Sequence, residues 1–137
     1  MVRVDITISV GQDGFYSVYC NDYPALFGSG ETLDDAISEL RDTLRITKEE
    51  LGRDAAAFYP EWLDEEYEFV THWNITDLMA YYSGVITPTA LGRLANIHPK
   101  QVWAYMHGHS KPRKAQAIRM EIALHKLGRE LMNIEFI

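Results

Sequence analysis

"ALGRLANIHPKQVWAYMHGHSKP", residues 90 to 112, decides how this chain is read. Apolar residues lie three and four apart on both sides of a short break, "NIH", and Pro99 stands where a second helix would open, at a position whose missing N–H costs nothing. The spacing predicts two short helices, Thr89 to Ala95 and Pro99 to His107. Leu91, Leu94, Ala95, Ile97 and Val102, with Tyr105 or Met106, are expected to converge on one small core.

That assignment leaves Lys100, Gln101, Ala104 and His107 on the far side of the second helix, mutually close because they lie about one helical turn apart. Two short helices around a tight turn, with a polar outer face on the second, fit a helix-turn-helix whose second helix enters the major groove of duplex DNA. Lys100 and Gln101 carry donors suited to base edges, with Thr89 and Ala104 on the same side. His107, His109, Lys111, Arg113 and Lys114 fall where phosphate contacts are expected. His98, His107 and His109 have no Cys or carboxylate among them, so neither a zinc site nor any cofactor is expected. Trp103 is too large to leave fully in water; it is expected to pack against the last helix or against a partner subunit.

Outward from this stretch, the helical period begins after Asn74 and persists. Helices are expected at Ile75 to Ser83 and Pro112 to Leu131 as well, with Gly84, Gly108 and the prolines at 88, 99 and 112 at the joints. The last helix carries Ile118, Met120, Ile122, Leu124, Leu127 and Leu131, a wider apolar band than one small core needs. A two-fold interface is the expected use, giving a homodimer or a higher even oligomer, with "NIEFI" (133–137) adding an edge strand.

Charge changes sign at the same boundary. Residues 1 to 74 hold 5 Lys and Arg against 16 Asp and Glu, a formal −11, and residues 75 to 137 hold 8 against 4, a formal +4. Two domains are therefore expected, 1–74 and 75–137, one suited to a cationic partner and the other to a polyanion. The first reads as α+β with order β-β-β-α-β, and the second as all-α. Residues 2 to 10 alternate with period two, Gln12-Asp13-Gly14 makes a hairpin turn, and Phe15 to Cys20 returns. Ala25 to Ser29 is a third short strand, bracketed by Gly28 and Gly30 where a sharp turn is expected.

A helix capped by Thr32 follows, with Asp34 and Asp35 in its first turn and an apolar stripe of Leu33, Ala36, Ile37, Leu40, Leu44 and Leu51. It is expected to run through the alanines as far as Phe58 before Pro60 ends it. Tyr67 to Trp73 is the fourth strand. The lone Cys20 closes no internal disulfide, and neither a secretory leader nor a membrane-length apolar run is visible, so a reducing cytoplasm is the expected setting, with no membrane partner.

The stretch 90–112 resembles the Xre or phage-repressor type of helix-turn-helix, with Ile97, Val102, Gly108 and Pro112 at that motif's recurrent positions, Asn96 where glycine is usual and His98 where a serine or threonine cap is usual. "DGFYSVYCNDYPALFGSGETLDDAISEL", residues 13 to 40, resembles the core motif of HicB antitoxins, and the order of the two motifs along one chain resembles a HicB architecture. The resemblance implies a degenerate, partial RNase H-like domain that blocks a small basic HicA-like toxin ribonuclease, and a second domain that represses the operon at operator DNA. Asp22, Glu31, Asp34, Asp35, Glu39 and Asp42 are then the expected toxin contacts, on charge complementarity. No catalysis is expected: Asp5 shares its strand with Thr7 and Arg3, and Glu31, Asp34 and Asp35 crowd one helix start where a metal-dependent nuclease needs acids spread over separate strand ends. The alternative left open is a stand-alone transcriptional regulator whose first domain binds a ligand or drives oligomerisation.

Overall fold

Alternation along β1 (Val2–Val10) turns Val4, Ile6 and Ile8 to one side, where all three are buried. A tight turn at Gly11 to Phe15, in which Gly14 takes φ +84° and the Asp13 carboxylate accepts from the Phe15 N–H, returns the chain as β2 (Tyr16–Cys20). β2 pairs antiparallel with β1, Ile6 opposite Cys20 and Val10 opposite Tyr16, and β3 (Phe27–Gly30) pairs antiparallel with β2. The fourth strand, β4 (Tyr67–His72), lies parallel to β1, so the sheet order is β3-β2-β1-β4. A parallel pair needs a crossover segment, and α1 (Leu33–Arg45) supplies its helix. The computed structural model describes residues 1 to 137 and is a mixed α+β fold in two units, Met1–Trp73 and Asn74–Ile137, each with its own core.

In the first unit α1 lies on the sheet through Leu33, Ala36, Leu40 and Leu44. Its start is held by Thr32, whose hydroxyl accepts from the Asp35 N–H at 3.1 Å. Neither Gly28 nor Gly30 has the positive φ that a sharp turn would demand. Both are needed because α1 passes directly over them: a Cβ on Gly28 would stand 2.3 Å from the Ala36 carbonyl oxygen.

The helix does not continue to Phe58. After Arg45 it widens into a π-type turn (Ile46–Leu51), and a four-residue helical turn, α2 (Gly52–Ala55), ends the run. The wide turn shifts the register, so Thr47 occupies the inner position, its hydroxyl satisfied by the Thr43 carbonyl at 2.8 Å, and Leu51 swings out to 50% exposure. Gly52, at φ +75° and ψ 173°, redirects the chain in a way no L-residue takes easily. A 3₁₀ turn (Glu61–Asp64), absent from the expected elements, seats Leu63 in the core. Asp64 fastens it, accepting from Tyr59 and Arg53 at 2.6 Å each, and these two bonds hold its carboxyl below the usual range.

Cys20 is buried in this core, and desolvation, with a smaller contribution from the Asp22 charge, pushes its thiol up to about 11. The native thiol is therefore expected to resist iodoacetamide at pH 8 and to react once urea unfolds the unit, as followed by mass spectrometry. The folded thiol keeps its proton to higher pH than the unfolded one, whose ordinary value is 9.0, so this group's contribution to stability falls as pH rises from about 9 to about 11.

The second unit holds α3 (Ile75–Tyr81), α4 (Pro88–Ala95), α5 (Pro99–Met106) and α6 (Lys114–Met132). Asn74 and Thr87 cap α3 and α4 through side-chain oxygens that accept from Asp77 and Ala90. Met79, Leu91, Ala95, Ile97, Val102, Tyr105, Met120 and Ala123 form the core, with Met106 half-buried beside it. Leu94 is not part of it and is 49% exposed. The buried face of α4 runs through Leu91, Gly92 and Ala95, and Leu94 falls outside it. The segment 133–137 forms no strand, and no helix is long and apolar enough to cross a membrane.

Candidate functional site

The link between α4 and α5 holds the one non-glycine residue at positive φ. Asn96 sits in the left-handed region at φ 55°, a conformation asparagine tolerates better than most residues, and the Ile97 N–H then donates to the Gly92 carbonyl at 2.9 Å. A Cβ on Gly92 would meet the Ile97 carbonyl oxygen at 2.6 Å and the Pro99 Cα and N at 3.3 Å. His98 does the work of a hydroxyl cap: its Nδ1 accepts from the Lys100 N–H at 3.1 Å, which places the ring proton on Nε2. Thr76 donates to the Tyr105 carbonyl at 2.7 Å, and Arg119 on α6 donates to the Asn96 carbonyl at 3.0 Å. Helix α5 is thus fastened at both ends, with its inner side closed by Val102 and Tyr105.

Its outer side is open. Lys100, Trp103 and His107 are exposed there, with Ala104 half-buried between them. Pro88 and Thr89 from the start of α4 join Pro99, Lys100, Trp103 and Ala104 around a shallow, mainly apolar groove of about 630 Å³. Trp103 is not part of the buried core of this unit. It is 48% exposed and stacks on His107, with ring centroids 4.1 Å apart, and on His109 at 5.4 Å. The His107 Nδ1–H donates to the Trp103 carbonyl at 2.9 Å and helps hold the stack.

Among the residues the sequence singled out, Thr89, Lys100 and Ala104 share this groove, and His107 and His109 back its tryptophan. Gln101 departs from expectation. It is half-buried, and its amide points to the Ser110 hydroxyl, 3.4 Å away, so it braces the loop after α5 before it faces any ligand. Lys111, Arg113 and Lys114 are exposed along the entry to α6. All ion pairs of the molecule lie in the first unit, leaving the cations of the second without carboxylate partners.

In the first unit, Glu31, Asp34 and Asp35 gather at the start of α1, and Glu39 and Asp42 continue along its water side, all exposed. Asp22 does not join them. It lies in the β2–β3 turn, at the other end of β3 from Glu31. Asp42 is partly engaged by Arg45, whose guanidinium also reaches Glu49 and Glu50 at 3.8 and 3.6 Å. On the sheet face away from α1, Asp5 Oδ1 accepts from Arg3 Nε and also from His72 Nε2, a partner the sequence did not reveal, at 2.9 Å each. Those bonds hold the Asp5 carboxyl below its ordinary range. The only sequence signal for this pair is the matching alternation of β1 and β4, which by itself does not give their register.

Compared with protein-family models, curated proteins and solved structures, the chain matches none.

Proposed function

We propose that the second unit is a helix-turn-helix domain that lays α5 in the major groove of operator DNA, and that the first is a partial RNase H-like domain that binds a small basic toxin. On this reading the chain is a HicB-type antitoxin and autorepressor, not an enzyme, and acts in the cytoplasm. The observation that carries it is α5 itself: a short helix braced from behind by Val102 and Tyr105, with Lys100, Trp103 and Ala104 outward, in a unit whose cations form no ion pair. The acidic face of α1 supports the toxin contact through charge complementarity. Asp5, tied to His72 and Arg3, is occupied as a structural pair, which favours the non-catalytic reading.

The test is a mobility shift with the DNA upstream of the gene, together with co-purification of a small basic protein encoded beside it. DNA binding without any such protein would leave a plain regulator in place of an antitoxin. Lys100→Ala is expected to weaken specific binding by about 1–3 kcal/mol and relax the preference for one base. Lys111→Ala should instead weaken all sequences alike and reduce the salt slope by about one.

Two copies of the domain reading two half-sites would meet through α6, where Ile118 and Ile122 are 43% and 59% exposed on one side of the helix. Sedimentation of Ile122→Lys is expected to give half the wild-type mass; an unchanged mass would remove α6 from the interface.

A further inference from the structure

The groove beside Trp103 has a lining that phosphate binding does not explain. Four of its six residues, Pro88, Pro99, Trp103 and Ala104, present carbon, and Lys100 supplies its one charge. We infer that this groove receives the C5-methyl group of a thymine next to the base that Lys100 contacts, making Trp103 a specificity-determining residue. The inference rests on the helix-turn-helix reading above and deepens it. Charge selects the occupant: Lys100 in the groove lining forms no ion pair, and Lys111, Arg113 and Lys114 of the same unit are likewise exposed and unpaired, so the apolar group that docks here is taken to be one carried on a polyanion. On the major-groove edge of duplex DNA the thymine methyl is the one apolar feature.

The tryptophan is also pre-set for the contact. Stacked on His107 and backed by His109, it does not have to be immobilised on binding, which removes an entropic cost that a free side chain would carry. Ala104, with only a methyl group, leaves room for a base edge to approach the helix beside it.

The test selects duplexes from a random library with the full-length protein, then replaces each thymidine of the selected duplex with deoxyuridine, which removes only the methyl group. The expected result is one thymidine per half-site whose replacement weakens binding about fourfold, the effect of one buried methyl. With Trp103→Ala the thymidine and deoxyuridine duplexes should bind alike. If no replacement changes wild-type affinity, or the variant shows the same loss, the methyl pocket is wrong while the DNA reading stands. If the library yields no enriched duplex, both fall together.

Discussion

Replacing Gly92 with alanine is expected to destabilise the second unit by about 2–4 kcal/mol, although the same change inside an ordinary helix stabilises it by about 1 kcal/mol. Gly92 is a helical residue with no unusual φ, so backbone strain is not the reason. The reason is proximity: the new Cβ would lie 2.6 Å from the Ile97 carbonyl oxygen and 3.3 Å from the Pro99 backbone. Those atoms cannot move without opening the angle between α4 and α5. For a unit of this size the cost corresponds to a fall in melting temperature of roughly 10–30 °C, and the groove at Thr89, Lys100 and Trp103 should be lost with it. Gly128→Ala is the internal control. It makes the same change in α6 with nothing within 4 Å, and should raise stability by about 0.5–1 kcal/mol. Thermal melts of both variants check the pair of signs.

Gly28→Ala is expected to cost the first unit even more, about 4 kcal/mol or above. Its Cβ would stand 2.3 Å from the Ala36 carbonyl oxygen and 2.5 Å from the Leu40 nitrogen, both backbone atoms of α1. Relief requires lifting α1 off β3, which would uncover Ala36 and Leu40, each fully buried in the native core. Gly14→Ala offers the contrast: at φ +84° with nothing within 4 Å, it should cost only about 1–2 kcal/mol of left-handed backbone strain. Amide exchange across β1 and β2 is the measurement. Protection there should collapse in Gly28→Ala and persist in Gly14→Ala.

Much of this fold is legible in the sequence because its signals are local. The alternation of Val4, Ile6 and Ile8, the Asp13-Gly14 turn, and the caps at Thr32 and Asn74 act over a few residues and appear as expected. What the sequence hides is set by tertiary contact. Leu51 keeps helical spacing with Leu44, yet a widened turn rotates it outward; Leu94 is as apolar as Leu91, yet the buried face of α4 turns through Gly92 and Ala95 and leaves it exposed. The glycines at 28 and 92 carry no mark that separates crowding from turning.

The candidate site divides in the same way. Which face of α5 is outward follows from its period, so Lys100 and Ala104 are placed by sequence alone. The side chain of Gln101 depends on where the loop brings Ser110, and the stacking of Trp103 depends on Gly108, whose φ of +73° turns the chain between His107 and His109.

The central claim, that the outer side of α5 meets base edges in the major groove, is tested most directly by titrating the ¹⁵N-labelled full-length protein with a selected duplex. The largest shifts are expected at the Thr89, Lys100 and Ala104 amides and the Trp103 indole N–H. Shifts confined to Lys111, Arg113 and Lys114, with those four signals unmoved, would contradict it.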